Sequence, residues 1–262
     1  MIRTAQQSPD TEERTSMSNI NKAFANGKAI IPFITCGDPD LETTAKVIRE
    51  LAANGADMIE LGIPFSDPTA EGPAAQEAAI RALKGGATTD KIFDMIREVR
   101  KDVTIPMTIM TYPNVVFSYG TEKFISICAQ LAIDGIMLPD VPYEEKEDFL
   151  PTCKKYGVEL ISVVSHTSGS RVQMIASEAE GYLHITTDGK ADIAPTANEA
   201  KKYTSIKCAA ELAEPTEDQV KKAFETVDGI IITIGIIRIM EKHGKSAASF
   251  AGEYIKKIKA AV

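Results

Sequence analysis

What most restricts this chain is a repeated alternation of two patterns. Short stretches rich in Ile, Val, Thr and Met are each followed by a turn and then by a segment with apolar residues at helical spacing. The strand-like stretches lie at 29–35, 58–63, 105–110, 135–138, 159–164, 182–186, 206–209 and 229–234. Helical spacing follows at 41–54, 74–83, 121–131, 144–156, 169–179 and 216–224, and again toward the C-terminus. In the first of these Leu41, Ala45, Ile48 and Leu51 share one face, and Gly55 ends the run. Parallel strands need right-handed crossovers of about a dozen residues or more, usually helical, and these segments leave room for them. Eight such units predict an α/β chain closed into a single (β/α)8 TIM barrel. An open doubly wound sheet is the weaker alternative. No GxGxxG follows the first strand, and Cys36-Gly37-Asp38-Pro39 reads instead as a turn able to supply an Asp helix cap.

A length of 262 residues with 44% apolar residues suits one large core, so residues 20–262 are expected to form one barrel domain. Residues 1–19 are polar, carry Arg3, Glu12, Glu13 and Arg14, and contain no apolar h-region. They are expected to be a flexible N-terminal extension rather than a secretory signal. No apolar run approaches the roughly 18 residues of a membrane span, so no membrane association is expected. Cys36, Cys128, Cys153 and Cys208 are far apart, which fits reduced thiols in a cytoplasmic protein better than a disulfide framework. His166, His184 and His243 form no HExxH or close His/Cys cluster, so no metal site is expected. The 29 basic and 37 acidic residues give a formal charge of −8, with no basic stripe interleaved with aromatics, which argues against a nucleic-acid partner.

The residues suited to chemistry follow strand-like segments. Glu60 stands between Ile59 and Leu61, so its side chain takes the opposite face from theirs. In a barrel that face is the interior, where loss of water favours the neutral acid and raises its pKa. Such a carboxyl is suited to moving a proton; the alternative is a buried glutamate paired with a base from another strand. Asp67, between Ser66 and Pro68, is either a turn residue or a contact for a partner. Glu71 precedes Gly72-Pro73 and a helix; it either complements the helix dipole or accepts a hydrogen bond from a substrate N–H. Met110-Thr111-Tyr112-Pro113-Asn114 places a phenol and an amide just past a strand, able to line an aromatic pocket or to pack on a neighbouring loop. Asp140 ends the next strand in the same manner.

These residues fall at intervals that resemble the tryptophan synthase alpha chain family, over about residues 20–245. The resemblance rests on Pro32-Phe33-Ile34-Thr35 with Gly37-Asp38-Pro39, on Glu60 through Pro68, and on Glu71-Gly72-Pro73 with Gln76. It continues through Tyr112, Asn114 and Phe117 and through Asp140-Val141-Pro142-Tyr143-Glu144-Glu145. It implies a (β/α)8 barrel that cleaves indole-3-glycerol phosphate to indole and glyceraldehyde 3-phosphate without a cofactor. By resemblance Glu60 matches the glutamate that transfers a proton at the indole ring carbon bearing the side chain. Glu71 stands where the family has an aspartate toward the indole N–H, and Phe33, Met110 and Tyr112 match positions around the ring. Pro64, Asp67, Asn114 and Pro142 match rim positions that face the β subunit, and the resemblance implies a heterotetramer with it.

The second half departs from the family pattern. Ala209-Ala210-Glu211 is expected in place of Gly-Phe-Gly, and Thr233-Ile234 in place of a later Gly-Ser, so fewer open backbone N–H groups are expected at the phosphate. Thr233 with Gly189 and Gly235 is left to serve that end of the substrate. His184 takes the place of a pocket tyrosine, and Thr187 to Ile193 replaces the usual loop after the sixth strand. The main expectation is a carbon–carbon lyase. The alternative keeps the barrel and the rim but makes the chain a catalytically weak or altered-substrate partner of a β subunit. A Schiff-base aldolase is a third class, for which Lys190 is the one lysine near a strand end with a loop able to turn it inward.

Overall fold

The structure is a computed structural model that describes residues 19–187 and 192–262. Most of the expected 1–19 extension, and with it any account of Gly189 and Lys190, lies outside the described residues.

A short helix α1 (Ile20–Ala23) leads into β1 (Ala29–Thr35) and α2 (Leu41–Ala53). Strand β2 (Ile59–Gly62) is followed by two helices, α3 (Pro73–Lys84) and α4 (Thr89–Val99). Strand β3 (Met107–Met110) is likewise followed by α5 (Pro113–Tyr119) and α6 (Thr121–Gln130). Then come β4 (Gly135–Met137), a 3-10 turn (Tyr143–Asp148), α7 (Leu150–Tyr156), β5 (Glu159–Ser165) and α8 (Arg171–Ser177). The chain closes with β6 (Glu180–Thr186), α9 (Ala194–Ala200), β7 (Lys207–Leu212), α10 (Glu217–Ala223), β8 (Gly229–Ile232), α11 (Ile234–His243) and α12 (Ala247–Ala260).

The eight strands run in sequence order round a closed, all-parallel barrel, with β1 paired to β8. This is the expected (β/α)8 fold. Period-2 alternation sorts side chains into two cores. Ala29, Ile31, Phe33, Met58, Tyr182, Ala209 and Ile231 fill the barrel interior, where Ile20, Ala23 and Phe24 of the first helical turn join them. The alternate residues Ile30, Ile34, Ile59, Leu61, Leu183 and Ile230 face outward, beneath the helices. Helix α2 begins at Asp40, whose carboxyl accepts the Thr43 N–H at 2.7 Å. Asp38, the cap expected from the sequence, is instead buried and gripped by the Arg81 guanidinium through two hydrogen bonds of 2.8 Å each. That pair ties the turn after β1 to helix α3.

Apart from the single turn of α1, three helices were not expected from the sequence, and one expected helix is broken. Helix α4 carries Ile92, Phe93, Ile96 and Val99 on its buried face and is capped by Thr88, so it forms a second helix in the β2–β3 crossover. Pro113 opens α5 as a first-turn proline, where a strand end had been expected. Helix α9 has few large apolar residues and buries Thr196, Ala197 and Ala200. Residues 144–156 do not form one helix, because the 3-10 turn ends at Asp148 and α7 restarts with a proline in its first turn.

Candidate active site

A cavity of about 490 Å³ opens at the carboxyl end of the strands. Barrel enzymes place their chemistry at this end, where loops of different strands converge. Phe33, Glu60, Glu71, Met110, His184, Thr233 and Glu211 are all on its lining, joined by Ala213, Thr186 and Thr187. Barrel closure thus gathers strand ends that are distant in sequence.

Glu60 stands opposite Phe33 on β1 and Thr108 on β3, facing inward as its alternation predicts. It is 1% exposed. The Tyr182 hydroxyl donates to its Oε2 at 3.0 Å, and His184 Nδ1 lies 3.9 Å from the same oxygen. Burial holds the Glu60 pKa above the ordinary carboxylate value, and the opposing pull of His184 and Tyr182 does not cancel it. A carboxyl raised in this way holds its proton more firmly than an ordinary one, which suits a general acid. Phe33 reaches the mouth because position 62 has no side chain: a Cβ there would sit 2.5 Å from the Phe33 ring.

Glu71 lies two residues before helix α3, and its backbone carbonyl accepts the Gln76 side-chain amide at 2.8 Å. Burial raises its pKa to about 7; a hydrogen bond with Tyr112 opposes the shift, and the negative fields of Glu211 and Glu60 add to it. Tyr112 is itself buried and does not line the cavity. Its hydroxyl accepts the Ala70 N–H at 3.1 Å, and its ring lies 5.2 Å from that of Phe65. It therefore fixes the loop that carries Glu71, and Met110 supplies the apolar wall beside it.

At the far side of the cavity the register differs from the sequence expectation. Ala209 is buried in the barrel interior and Ala210 beneath the helices, so neither reaches the mouth. The strand runs on to Leu212, and Glu211 and Ala213 are the residues that face the cavity. The Glu211 carboxylate accepts Thr186 Oγ1 at 3.0 Å and Thr233 Oγ1 at 3.1 Å, and His184 Nε2 lies 3.7 Å away. Burial pushes its pKa up, but His184 and the two threonines outweigh that and lower it, so Glu211 stays ionised. For His184 burial opposes the charge, while Glu211 and Glu60 together raise its pKa. Its Nδ1 is buried without a hydrogen-bond partner.

Gly235 is not at the cavity wall. Its N–H donates to the Ala213 carbonyl at 2.8 Å, and a Cβ on it would meet the Tyr254 hydroxyl at 2.9 Å. Its bareness lets α12 pack close, and Thr233 with Ile234 is what reaches the mouth. Tyr182 is a functional candidate that sequence reasoning did not assign, and Glu211 was expected at the phosphate rather than beside His184. A usable signal existed for the first, since Tyr182, His184 and Thr186 alternate on one strand face. On the rim, Asp67 and Pro142 are exposed and Pro64 half-buried on the loops after β2 and β4, and Asn114 is exposed in the first turn of α5, after β3. Among the described residues no group of three or more His, Cys, Asp or Glu is arranged to hold a metal ion. The four cysteines are buried free thiols, and no helix among the described residues is long and apolar enough to cross a membrane.

A barrel whose mouth holds two buried carboxyls with pKa values pushed apart, one up and one down, facing a largely apolar cavity, has the arrangement of the acid–base enzymes of this fold. The family model for the tryptophan synthase alpha chain matches residues 20–261. The chain is 36% identical over 255 residues to the tryptophan synthase alpha chain of Lacticaseibacillus casei, covering 94% of this chain and 96% of that one. It is 37% identical over 236 residues to that of Bacillus anthracis, covering 86% and 92%. Among solved structures, the tryptophan synthase subunit alpha of Legionella pneumophila superposes with a TM-score of 0.87 at 29% identity, covering 94% of this chain and 98% of that one. A chain of the tryptophan synthase complex of Pyrococcus furiosus gives 0.84 at 25% identity, covering 88% of this chain and 98% of that one. The chain belongs to the tryptophan synthase alpha chain family.

Proposed function

We propose that Glu60 and Glu71 carry the lyase reaction of this family in this chain. The chain is a carbon–carbon lyase of tryptophan biosynthesis that cleaves indole-3-glycerol phosphate to indole and glyceraldehyde 3-phosphate. The observation that carries the assignment of roles is Glu60, 1% exposed at the cavity wall with its pKa raised by burial. In the proposed pose the indole ring lies between Phe33 and Met110, and Glu71 accepts its N–H. Glu60 delivers a proton to ring carbon C3. The protonated ring is an electron sink, so the bond from C3 to the side chain can break without a metal or an organic cofactor. Tyr112 holds the Glu71 loop, while Thr233 and the first turn of α11 face the phosphate end.

The partner is a tryptophan synthase β subunit, docked on the rim formed by Pro64, Asp67, Asn114 and Pro142 in a heterotetramer. These residues follow three consecutive strands and form one sector of the mouth, so docking there reaches the Glu71 loop directly. The chain works in the cytoplasm, which the buried thiols support. The deciding experiment is a coupled measurement of indole release from indole-3-glycerol phosphate, with and without the β subunit of the same organism. We expect release in both cases, at least about tenfold faster with the partner, together with co-sedimentation at micromolar concentrations. No release under either condition would refute the lyase assignment.

Glu71 must be ionised to hold the indole N–H, and its pKa is raised to about 7. The profile of kcat/KM against pH, which reports the free enzyme, is therefore expected to fall on the acid side with a midpoint near 7. Glu71→Gln should remove that limb and lower the plateau. An unchanged limb in the variant would assign it to another group.

A further inference from the structure

Cleavage of the bond to C3 requires two proton transfers. One proton must arrive at C3, and one must leave the hydroxyl on the side-chain carbon that becomes the aldehyde. Glu60 accounts for the first. Besides Glu60 and Glu71 the cavity holds a third carboxyl, which the family pattern did not suggest. Glu211, on β7, faces the same space as Glu60, on β2, and both of its oxygens are fixed by the hydroxyls of Thr186 and Thr233 at 3.0 and 3.1 Å. His184, on β6 next to β7, reaches across the barrel interior between the two, 3.7 Å from Glu211 and 3.9 Å from Glu60.

Resting on the lyase reading, we infer that Glu211 is the base that takes the hydroxyl proton, and that His184 returns this proton to Glu60 between turnovers. The step balances. The O–H electron pair becomes the second bond of the aldehyde carbonyl, and the pair of the breaking C–C bond returns to the indole ring, which Glu60 has protonated at C3. Glu60 ends as the carboxylate and Glu211 as the acid. His184, in the tautomer with its proton on Nδ1, then gives that proton to Glu60 Oε2 and accepts one at Nε2 from Glu211, which restores both glutamates; a water-borne proton shift from Nε2 to Nδ1 returns the imidazole to its starting tautomer before the next turnover.

Three observations support this arrangement. His184 Nδ1 is buried with no hydrogen-bond partner, aimed at the side of Glu60 that needs a proton after cleavage. The environments of the two glutamates pull their pKa values apart, up for Glu60 and down for Glu211, which is how one site keeps an acid and a base at the same pH. The other titratable groups facing the cluster are Tyr182, which donates to Glu60, and Glu71, whose negative field works against a further charge at Glu60. Neither stands between Glu60 and Glu211 as His184 does.

The test separates the two proton transfers. Exchange of the C3 hydrogen of bound indole in heavy water needs only protonation and deprotonation at C3, whereas indole release from indole-3-glycerol phosphate also needs the hydroxyl base. For Glu211→Gln, which keeps the size and one threonine contact and reverses the other so that the amide N–H donates to the hydroxyl oxygen, we expect indole release to fall about 100-fold or more while C3 exchange stays within about threefold of wild type. Glu211→Asp should regain part of the release, and Glu60→Gln should lose both activities. His184→Asn should release about one indole per site in a burst and then turn over slowly. Release by Glu211→Gln within about threefold of wild type would overturn the inference, since Glu60 would then serve as its own base. Equal loss of release and exchange in both Glu211 variants would also overturn it, by reducing Glu211 to a support for the fold. A wild-type chain that exchanges C3 hydrogen but releases no indole even with the β subunit is a different result, and refutes the lyase reading itself.

Discussion

Glu60→Gln is expected to lower indole release by at least about 100-fold while substrate affinity, measured by calorimetry, changes by less than about threefold. The amide has the size of the carboxyl, and its oxygen can still accept the Tyr182 hydroxyl that reaches Glu60 at 3.0 Å. It carries no acidic proton to give. Positioned acid and base groups contribute roughly 10²–10⁴ in rate, and the loss falls on kcat because the proton moves only in the transition state. A variant that turns over at the wild-type rate would assign protonation of C3 to another group, with Glu71 the next candidate on the cavity wall.

The largest expected effect on stability lies outside the site. Arg81→Ala should cost about 3–5 kcal/mol, because it leaves the Asp38 carboxylate, 1% exposed, without the two hydrogen bonds that compensate its burial. At about 2–4 °C per kcal/mol for a chain of this size, the melting temperature should fall on the order of 10 °C. Arg81→Lys should recover only part, since an ammonium cannot present the planar fork. Urea unfolding reads the change as a lower midpoint at constant slope. A loss below about 1 kcal/mol would show that Asp38 does not depend on Arg81 for its compensation.

Much of the barrel was legible because its strands follow short-range rules. Residues 29–35 and the alternation around Glu60 announced a strand and its inward face with no knowledge of neighbours, and both hold. The helices were less legible where length, rather than pattern, was at issue. Helix α4 has a clear apolar face and a Thr88 cap, but the expectation of one helix for each strand left no place for it. Helix α9 buries small residues, and small residues give weak periodicity. At β7 the expected strand stopped at 209, two residues before the one that matters, since Glu211 continues the strand to the cavity instead of sitting in a loop beside a phosphate.

The sequence by itself determined the fold and the inward orientation of Glu60, since each depends on alternation and turns within a few residues, whereas the rim residues were placed by resemblance to the family. It also supplied His184 and Glu211, but as unrelated departures from a pattern. Only the tertiary structure decided that these two meet, with His184 between Glu60 and Glu211 and the threonines of two further strand ends fixing Glu211 in place. The physical reason is that alternation fixes which face a side chain takes, whereas the stagger of eight strands on barrel closure fixes which inward side chains share a level. That stagger depends on every strand at once and cannot be read from any one of them.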